Sequence, residues 1–146
     1  MPLNWYLEGL SWYLEALKKY AVFSGRARRK EFWWFYLFNM LAILTLSLAD
    51  HFMRTNIESL QIGVLTGIYC LAIAIPQLVV SVRRLHDTGS SGWWVLLGAI
   101  PGLGAIILLA FMLPNSEPDP NEYGPLPDMK RFGTLPHGLA KFAVKQ

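Results

Sequence analysis

The chain has 146 residues, of which 53% are hydrophobic and only 16% are charged, and its formal net charge is +3. Soluble domains carry about 25% charged residues, so this chain has too little polar surface to cover the core that its apolar residues would form. The composition therefore argues against an ordinary soluble domain. Its six tryptophans point to a membrane protein instead, because Trp collects where hydrocarbon meets headgroups.

Metal, cofactor and nucleic-acid chemistry are not indicated. The single cysteine, Cys70, cannot form an internal disulfide, and the three histidines are too scattered to match a metal-ligand spacing. No metal and no cofactor is predicted. The cations lie beside apolar runs rather than along a polar helix face, and this pattern fits anionic lipid headgroups better than nucleic acid. Glu8 and Glu15 precede the first lysine, which argues against a cleavable signal peptide.

Residues 1–23 contain a near-duplication, in which residues 5–10 are echoed seven positions later by residues 12–17. Seven residues are almost two helical turns, so the matching side chains fall on one side of a helix. The pattern predicts an N-terminal amphipathic helix. Its apolar face would either lie about 5–10 Å into the lipid interface or pack on the other helices.

Residues 24–113 hold three apolar runs that predict a membrane domain with transmembrane helices over 32–49, 62–82 and 93–113. The first run would be about 27 Å long as a helix, close to the hydrocarbon thickness of about 30 Å. Pro76 predicts a kink in the second helix. The third run is interrupted by Pro101 to Gly104, so a kinked spanning helix, the favoured reading, competes with a re-entrant hairpin.

The predicted fold is therefore an all-α membrane protein with an interfacial helix, three transmembrane helices and a flexible Pro-rich polar tail over residues 114–146. Four cations precede the first span, whereas the loop from Asp50 to Gln61 holds only Arg54. The positive-inside rule then predicts a cytoplasmic N-terminus. Three full spans would put the tail outside, and a re-entrant third segment would return it to the cytoplasm.

Two basic junctions, residues 24–34 before the first apolar run and residues 83–94 in a predicted loop between the second and third, are the candidate functional site. Arginine guanidinium groups suit phosphate, so clustered cations at headgroup depth predict binding of anionic lipid or of a partner protein. The alternative is that they only set topology and extend to the interface. The candidate residues are Arg26, Arg28, Arg29, Lys30, Arg83 and Arg84. Because topology needs no carboxylates there, Glu31 and Asp87 are expected to form ion pairs, Glu31 with Arg84 or Asp87 with Arg28, that clamp the first helix to the second junction.

Two further sets of residues have predicted structural roles. Aromatic side chains that would anchor the helices at one interface are Trp33, Trp34, Trp93 and Trp94. Glycines that would permit close helix packing, and with it a homo-oligomer, are Gly63, Gly67, Gly98 and Gly102.

An enzymatic role is the second hypothesis. His86, Asp87 and Glu31 are candidates for proton transfer in a small membrane enzyme that acts on a phosphate-bearing lipid. No serine or cysteine nucleophile has a supporting pattern, and Ser90 and Ser91 are better explained as helix caps. A transport or pore component has less support, because the spanning runs contain no ionisable side chain.

Two long stretches carry a family resemblance. Residues 23–33, Phe-Ser-Gly-Arg-Ala-Arg-Arg-Lys-Glu-Phe-Trp, and residues 83–93, Arg-Arg-Leu-His-Asp-Thr through Ser-Gly-Trp, resemble the YhaH/YhaI-like family (domain of unknown function 805). The resemblance implies a multi-pass helical protein of the bacterial inner membrane and brings no activity, cofactor or catalytic residue. The chain departs from the family's Asn-Arg-Tyr-Gly-x-Asp-Pro signature, since Glu122 replaces the arginine and the final Asp-Pro is lost.

Overall fold

The computed structural model describes residues 4–57 and 62–125, without the side chains of Asn4, Trp5 and Ala105. Residues 126–146 of the predicted tail lie outside this range. The elements in chain order are α1 (Asn4–Lys18), α2 (Arg29–Met53), β1 (Asn56–Ile57), β2 (Ile62–Gly63), α3 (Val64–Asp87), a 3-10 helix (Gly92–Ala99) and α4 (Leu103–Met112).

Two of these helices are long and apolar enough to cross a membrane. α2 has 25 residues and α3 has 24, with mean hydropathies of 1.6 and 2.0 over their most apolar 18-residue windows. They pack against each other as an antiparallel pair, joined by the two-stranded hairpin of β1 and β2. The expectation of a mainly helical, membrane-type fold is confirmed for the described residues.

α3 continues past the predicted span to Asp87. The sequence predicts a loop at the second basic junction. The structure instead places its first residues, 83–87, in the last turn of α3. Ala27 donates a backbone hydrogen bond to the Arg83 carbonyl oxygen at 2.9 Å, so the segment before α2 lies directly against this turn. The two junctions meet at one end of the helix pair.

The third apolar run forms two short helices joined by a turn, and not the favoured single helix. That this hairpin is re-entrant in a membrane stays a prediction. The 3-10 helix is about 16 Å long and α4 about 15 Å, each roughly half of a hydrocarbon layer. The two pack side by side, with the rings of Trp94 and Phe111 stacked 5.4 Å apart. Gly102, at φ 76°, makes the reversal between them, a conformation that glycine adopts without strain.

Both ends of this hairpin lie beside the last turn of α3. The Ser90 amide donates to the Leu85 carbonyl oxygen at 2.9 Å, just before the 3-10 helix begins. Arg84 donates to the Met112 carbonyl oxygen at 3.2 Å, at the end of α4. The chain therefore leaves the hairpin at the end of the bundle from which it entered.

α1 packs across α2. The Tyr13 ring stacks on Phe35 at 5.5 Å, and a Cβ atom at Gly9 would lie 2.6 Å from the Trp34 ring. Trp12 and Ala16, on α1, are buried. α1 thus has a packed face within the bundle, and its predicted position at the lipid interface stays a prediction.

At the opposite end of the bundle, Asp50 caps α3. This fully buried carboxylate accepts hydrogen bonds from the Thr66 amide at 2.9 Å and the Leu65 amide at 3.1 Å. It also accepts from the hydroxyl groups of Thr55 and Thr66 at 2.6 and 2.8 Å. A Cβ atom at Gly63 would overlap this carboxylate, so Gly63 permits a close contact between α2 and the start of α3.

Candidate functional site: two grooves at a basic end

One end of the bundle, called the basic end below, combines residues 26–31, the last turn of α3 and an extended segment over residues 114–125. We call this last segment the strap. It belongs to the region predicted as a flexible tail, but its backbone carbonyl groups accept hydrogen bonds from buried arginines, which hold it in place.

Arg26 and Asp87 form a fully buried ion pair. Arg26 Nε donates to Asp87 Oδ1 at 2.9 Å, and neither side chain is exposed. The Arg26 guanidinium also donates to the carbonyl oxygens of Glu117 at 2.7 Å and Asp119 at 2.8 Å. This arginine therefore joins the first junction to α3 and to the strap.

Arg84 lies on the other side of Asp87. Its guanidinium is fully buried and donates to Asp87 Oδ2 and to the carbonyl oxygens of Met112 and Pro114. Ser116 also donates to Asp87 Oδ2. One carboxylate thus neutralises part of the charge of two buried arginines. Their remaining acceptors are backbone carbonyl oxygens of the strap, of Met112 at the end of α4 and of Asp87 itself.

Arg83 pairs with Glu31. Arg83 Nη1 lies 2.8 Å from Glu31 Oε1, and its Nη2 donates to the Arg26 carbonyl oxygen at 3.0 Å. Both side chains are buried. The remaining donor, Arg83 Nε, is buried and has no hydrogen-bond partner among the residues that the structure describes.

The expected ion pairs, Glu31 with Arg84 and Asp87 with Arg28, are therefore wrong in their arginine partners. Neighbouring residues point about 100° apart around a helix. Arg83 consequently faces Glu31 on α2, while Arg84 faces the end of α4 and the strap. The position opposite Asp87 is taken by Arg26, since the segment before α2 lies along the last turn of α3.

The six candidate cations divide into two groups. Arg26, Arg83 and Arg84 are at most 3% exposed and are engaged inside the protein. The other three, Arg28, Arg29 and Lys30, are partly or fully exposed. Arg29 donates to Asn115 Oδ1 and Lys30 to Glu8 Oε1, both at 2.7 Å.

A groove of about 760 Å³ opens beside Arg83, between α1, the segment before α2 and the end of the strap. We call it the basic groove. Four cations and two carboxylates line it: Lys18, Lys19, Arg26, Arg83, Glu15 and Glu31. Each carboxylate is paired with a lining cation, Glu15 with Lys19 at 2.8 Å and Glu31 with Arg83. Lys18 is exposed on its wall.

A second groove, of about 560 Å³, lies between α3 and the 3-10 helix. We call it the apolar groove. Its apolar lining residues are Phe23, Leu78, Val82, Trp93, Val95 and Leu96. Polar atoms come from His86, Ser91 and Tyr123. Ser91 also caps the 3-10 helix by accepting from the Trp93 amide, which confirms its predicted role.

Tyr123 lines both grooves. Its ring stacks on His86 at 3.9 Å, and the two planes are nearly parallel. A hydrogen bond with the Glu122 carboxylate, and then burial, raise the pKa of the Tyr123 hydroxyl above its usual value. Asn121 holds the same turn to α3 by donating to the His86 carbonyl oxygen at 2.9 Å.

The three proton-transfer candidates do not share either of these grooves. Glu31 lines the basic groove, His86 lines the apolar groove, and Asp87 lines neither. Both carboxylates are bound to arginines. His86 Nδ1 lies 3.3 Å from the Gly25 carbonyl oxygen, so each group faces a different partner.

The predicted anchors and packing glycines have varied surroundings. Trp93 is 79% exposed, whereas Trp94 stacks on Phe111 and Trp34 packs on Gly9. A Cβ atom at Gly67 would meet only Ile62, at 3.7 Å, and one at Gly98 would meet only Leu108, at 3.4 Å. The predicted homo-oligomer stays a prediction.

Comparison with known proteins gives the chain a set of relatives. Residues 20–125 match the family model described as "Protein of unknown function (DUF805)". The chain is 40% identical over 128 residues to the inner membrane protein YhaH of Escherichia coli, covering 88% of this chain and 99% of YhaH. It is 38% identical over 132 residues to the inner membrane protein YhaI, covering 90% and 99%. No solved structure matches the chain. The family resemblance predicted from the two motifs is confirmed.

Proposed function

The chain belongs to the DUF805 family, and we propose that, like YhaH and YhaI, it is an inner-membrane protein. We further propose that its basic end binds the headgroup of an anionic phospholipid. The role is one of binding and requires no catalytic group. The basic groove is the binding site in this proposal, and the cytoplasmic leaflet is the source of the lipid.

The proposed topology has two crossings, by α2 and α3, followed by a re-entrant hairpin. The basic end then faces the cytoplasm, because two of its cations precede α2, two more begin α2 and another two lie in the last turn of α3. Both termini would be cytoplasmic. The four cations of the tail, Lys130, Arg131, Lys141 and Lys145, are consistent with this arrangement under the same rule.

The observation that carries the proposal is that Arg83 Nε is buried and has no hydrogen-bond partner among the described residues. A buried donor without a partner loses the free energy of the hydrogen bond that it would make with water, about 1–3 kcal/mol and more for a charged group. This donor belongs to a residue that lines the basic groove. A phosphate oxygen would satisfy it, and hydrogen bonds between an arginine and a phosphate are among the strong ones.

The charges of the residues that line the groove favour an anion of modest charge. Lys18, the last residue of α1, and Lys19, which follows it, line the groove together with residues of the strap. Each cation near an anionic membrane surface contributes about 1 kcal/mol to lipid binding. The paired carboxylates Glu15 and Glu31 set a limit on the total charge, which suits one phosphate better than a highly charged polyphosphate.

Native mass spectrometry of the full chain with phosphatidylglycerol tests the proposal. We expect Lys18→Ala combined with Lys19→Ala to weaken lipid retention by about 2 kcal/mol, or roughly 30-fold. Arg29→Ala combined with Lys30→Ala is the matched control, because it removes the same charge from the same end of the bundle outside the groove. Phosphatidylcholine gives the background retention of a lipid without net charge.

The outcomes distinguish a defined site from general surface charge. A large loss in the groove variant with a small loss in the control supports the basic groove. Equal losses in both variants would replace it with unspecific attraction by the exposed cations. Equal binding of inorganic phosphate and phosphatidylglycerol, in competition, would identify a free anion and not a lipid as the ligand.

A further inference from the structure

We infer that the lipid held at the basic groove places one of its acyl chains in the apolar groove, so that Tyr123 lies between headgroup and chain. This inference rests on the proposed function and identifies the ligand as one whole phospholipid. The basic groove alone would accept any small phosphate ester, whereas the two grooves together select an amphiphile.

The apolar groove runs along α3 away from the basic end, which is the direction that the acyl chain of a lipid bound in the basic groove would take. Along α3 it extends from His86, in the last turn, back to Leu78. The eight steps from Leu78 to His86 correspond to about 12 Å of helix axis. The groove therefore begins at the basic end, next to the proposed headgroup site, and continues along the segment that is long and apolar enough to cross the membrane.

The polarity of the lining changes along the same direction. The three polar residues, His86, Ser91 and Tyr123, belong to the last turn of α3, the cap of the 3-10 helix and the strap, so they lie at or next to the basic end. Phe23 adds one apolar side chain there. Leu78 and Leu96 are apolar and lie further along their helices. Such a gradient matches the change from glycerol ester to hydrocarbon in a phospholipid.

The re-entrant hairpin forms one wall of the groove. Gly92 allows this wall to approach α3 closely, since a Cβ atom there would lie 2.8 Å from Val82 Cγ1 and 3.0 Å from His86 Nε2. From Gly92 the 3-10 helix carries Trp93, Val95 and Leu96 along the groove. The volume of about 560 Å³ falls within the usual range of ligand pockets, about 300–1,000 Å³.

A phospholipid fits these observations better than a protein partner. Tyr123 lines both grooves, so an occupant of one reaches the other at this residue. A phospholipid joins a phosphate to a chain covalently and satisfies both linings at once, whereas an apolar helix of a partner would leave Arg83 Nε without an acceptor. Leu78, Leu96 and Trp93 are exposed at the groove, so a chain can enter sideways from the bilayer.

The test fills the apolar groove while leaving the basic groove intact. Val82→Trp and Leu96→Trp each add an indole ring to its lining, from opposite walls. Leu103→Trp is the matched control, since Leu103 is 65% exposed on the same hairpin but does not line the groove. Each variant is measured for retention of phosphatidylglycerol and for binding of sn-glycerol 3-phosphate, a probe with the headgroup phosphate and no chain.

We expect Val82→Trp and Leu96→Trp to lower phosphatidylglycerol retention about tenfold, an effect equal to losing the burial of about two methylene groups. Binding of sn-glycerol 3-phosphate should be unchanged in both, which also shows that the basic end is folded. Leu103→Trp should retain both ligands like the unmodified chain.

Unchanged phosphatidylglycerol retention in both groove variants would overturn the inference. The proposed headgroup site would still stand if the Lys18→Ala and Lys19→Ala variant lost the lipid. A loss of both ligands in Val82→Trp but only of phosphatidylglycerol in Leu96→Trp would support the inference, because the exposed Leu96 position tolerates the larger ring without disturbing the fold.

Discussion

The Tyr20 hydroxyl donates a hydrogen bond of 2.8 Å to the carbonyl oxygen of Ala72. In a regular helix this carbonyl would accept from the amide four residues later, but that position is Pro76, which has no N–H group. The segment after α1 thereby satisfies a backbone acceptor that α3 cannot satisfy itself. In an apolar environment such an acceptor needs a partner, so this contact holds Tyr20 against α3.

The first prediction concerns this contact. Tyr20→Phe should lower the free energy of unfolding in mixed micelles by about 1 kcal/mol, in the range of polar contacts between membrane helices. Pro76→Ala restores the amide donor, so the same tyrosine substitution should have a much smaller effect in that background. A Tyr20→Phe effect of the same size in both backgrounds would show that Pro76 does not create the need for Tyr20.

The second prediction concerns the buried charges. Asp87→Asn removes the carboxylate shared by Arg26 and Arg84, leaving two buried guanidinium groups poorly compensated. Breaking a buried ion pair in this way destabilises a protein by about 3–5 kcal/mol. Glu15→Gln, in an exposed pair with Lys19, is the control and should lower stability by less than about 1 kcal/mol. Similar losses of unfolding free energy in both variants would contradict the buried network.

The third prediction concerns Gly63. A Cβ atom at this position overlaps the Asp50 carboxylate, so Gly63→Ala should displace the cap of α3 and lower stability by about 2 kcal/mol. Gly67→Ala is a matched control four residues later, where the nearest atom outside the helix backbone is 3.7 Å away. It should be neutral or slightly stabilising, because Ala favours a helix more than Gly. Thermal unfolding in detergent would compare the two, and the opposite order would refute the role of Gly63.

The fourth prediction concerns topology. With two crossings and a re-entrant hairpin, alkaline phosphatase fused after Gln146 should be inactive and a fluorescent protein fused there should mature. Phosphatase fused after Arg54, between α2 and α3, should be active. An active phosphatase fusion after Gln146 would indicate a third full crossing of the membrane. It would contradict the proposal that the hairpin enters and leaves the membrane on the same side.

Residues 24–34 and 83–94 could be paired from sequence because each places cations beside an apolar run. The ion-pair partners could not be assigned in this way. Which of two adjacent arginines faces α2 depends on the rotation of α3, and one residue of error in its register turns the helix by about 100°. Arg26 was available as a partner, but nothing in the sequence distinguished it from Arg28.

The sequence does not predict the fixed position of the strap, for a different reason. Pro114 to Pro125 has the proline and charge content of a solvated tail, and the groups that fix it are largely backbone carbonyls, which every residue has. The retained Asn121, Tyr123 and Gly124 of the family signature were a usable signal. Asn121 and Tyr123 contact His86, and Gly124 has a φ of 122°. Lys18 and Lys19 could not be assigned to the site from sequence, since their place beside Arg83 in the basic groove depends on how α1 crosses α2.

The most direct measurement is the proximity of a lipid phosphorus atom to Arg83 Nε. Solid-state nuclear magnetic resonance of the 15N-arginine-labelled chain in phosphatidylglycerol bilayers can detect this proximity through 31P dephasing of the Nε signal. The account predicts that the Arg83 Nε signal, assigned by its loss in Arg83→Lys, is dephased at a distance of about 4 Å. Dephasing confined to the exposed Arg29, with Arg83 Nε unaffected, would contradict a phospholipid headgroup in the basic groove.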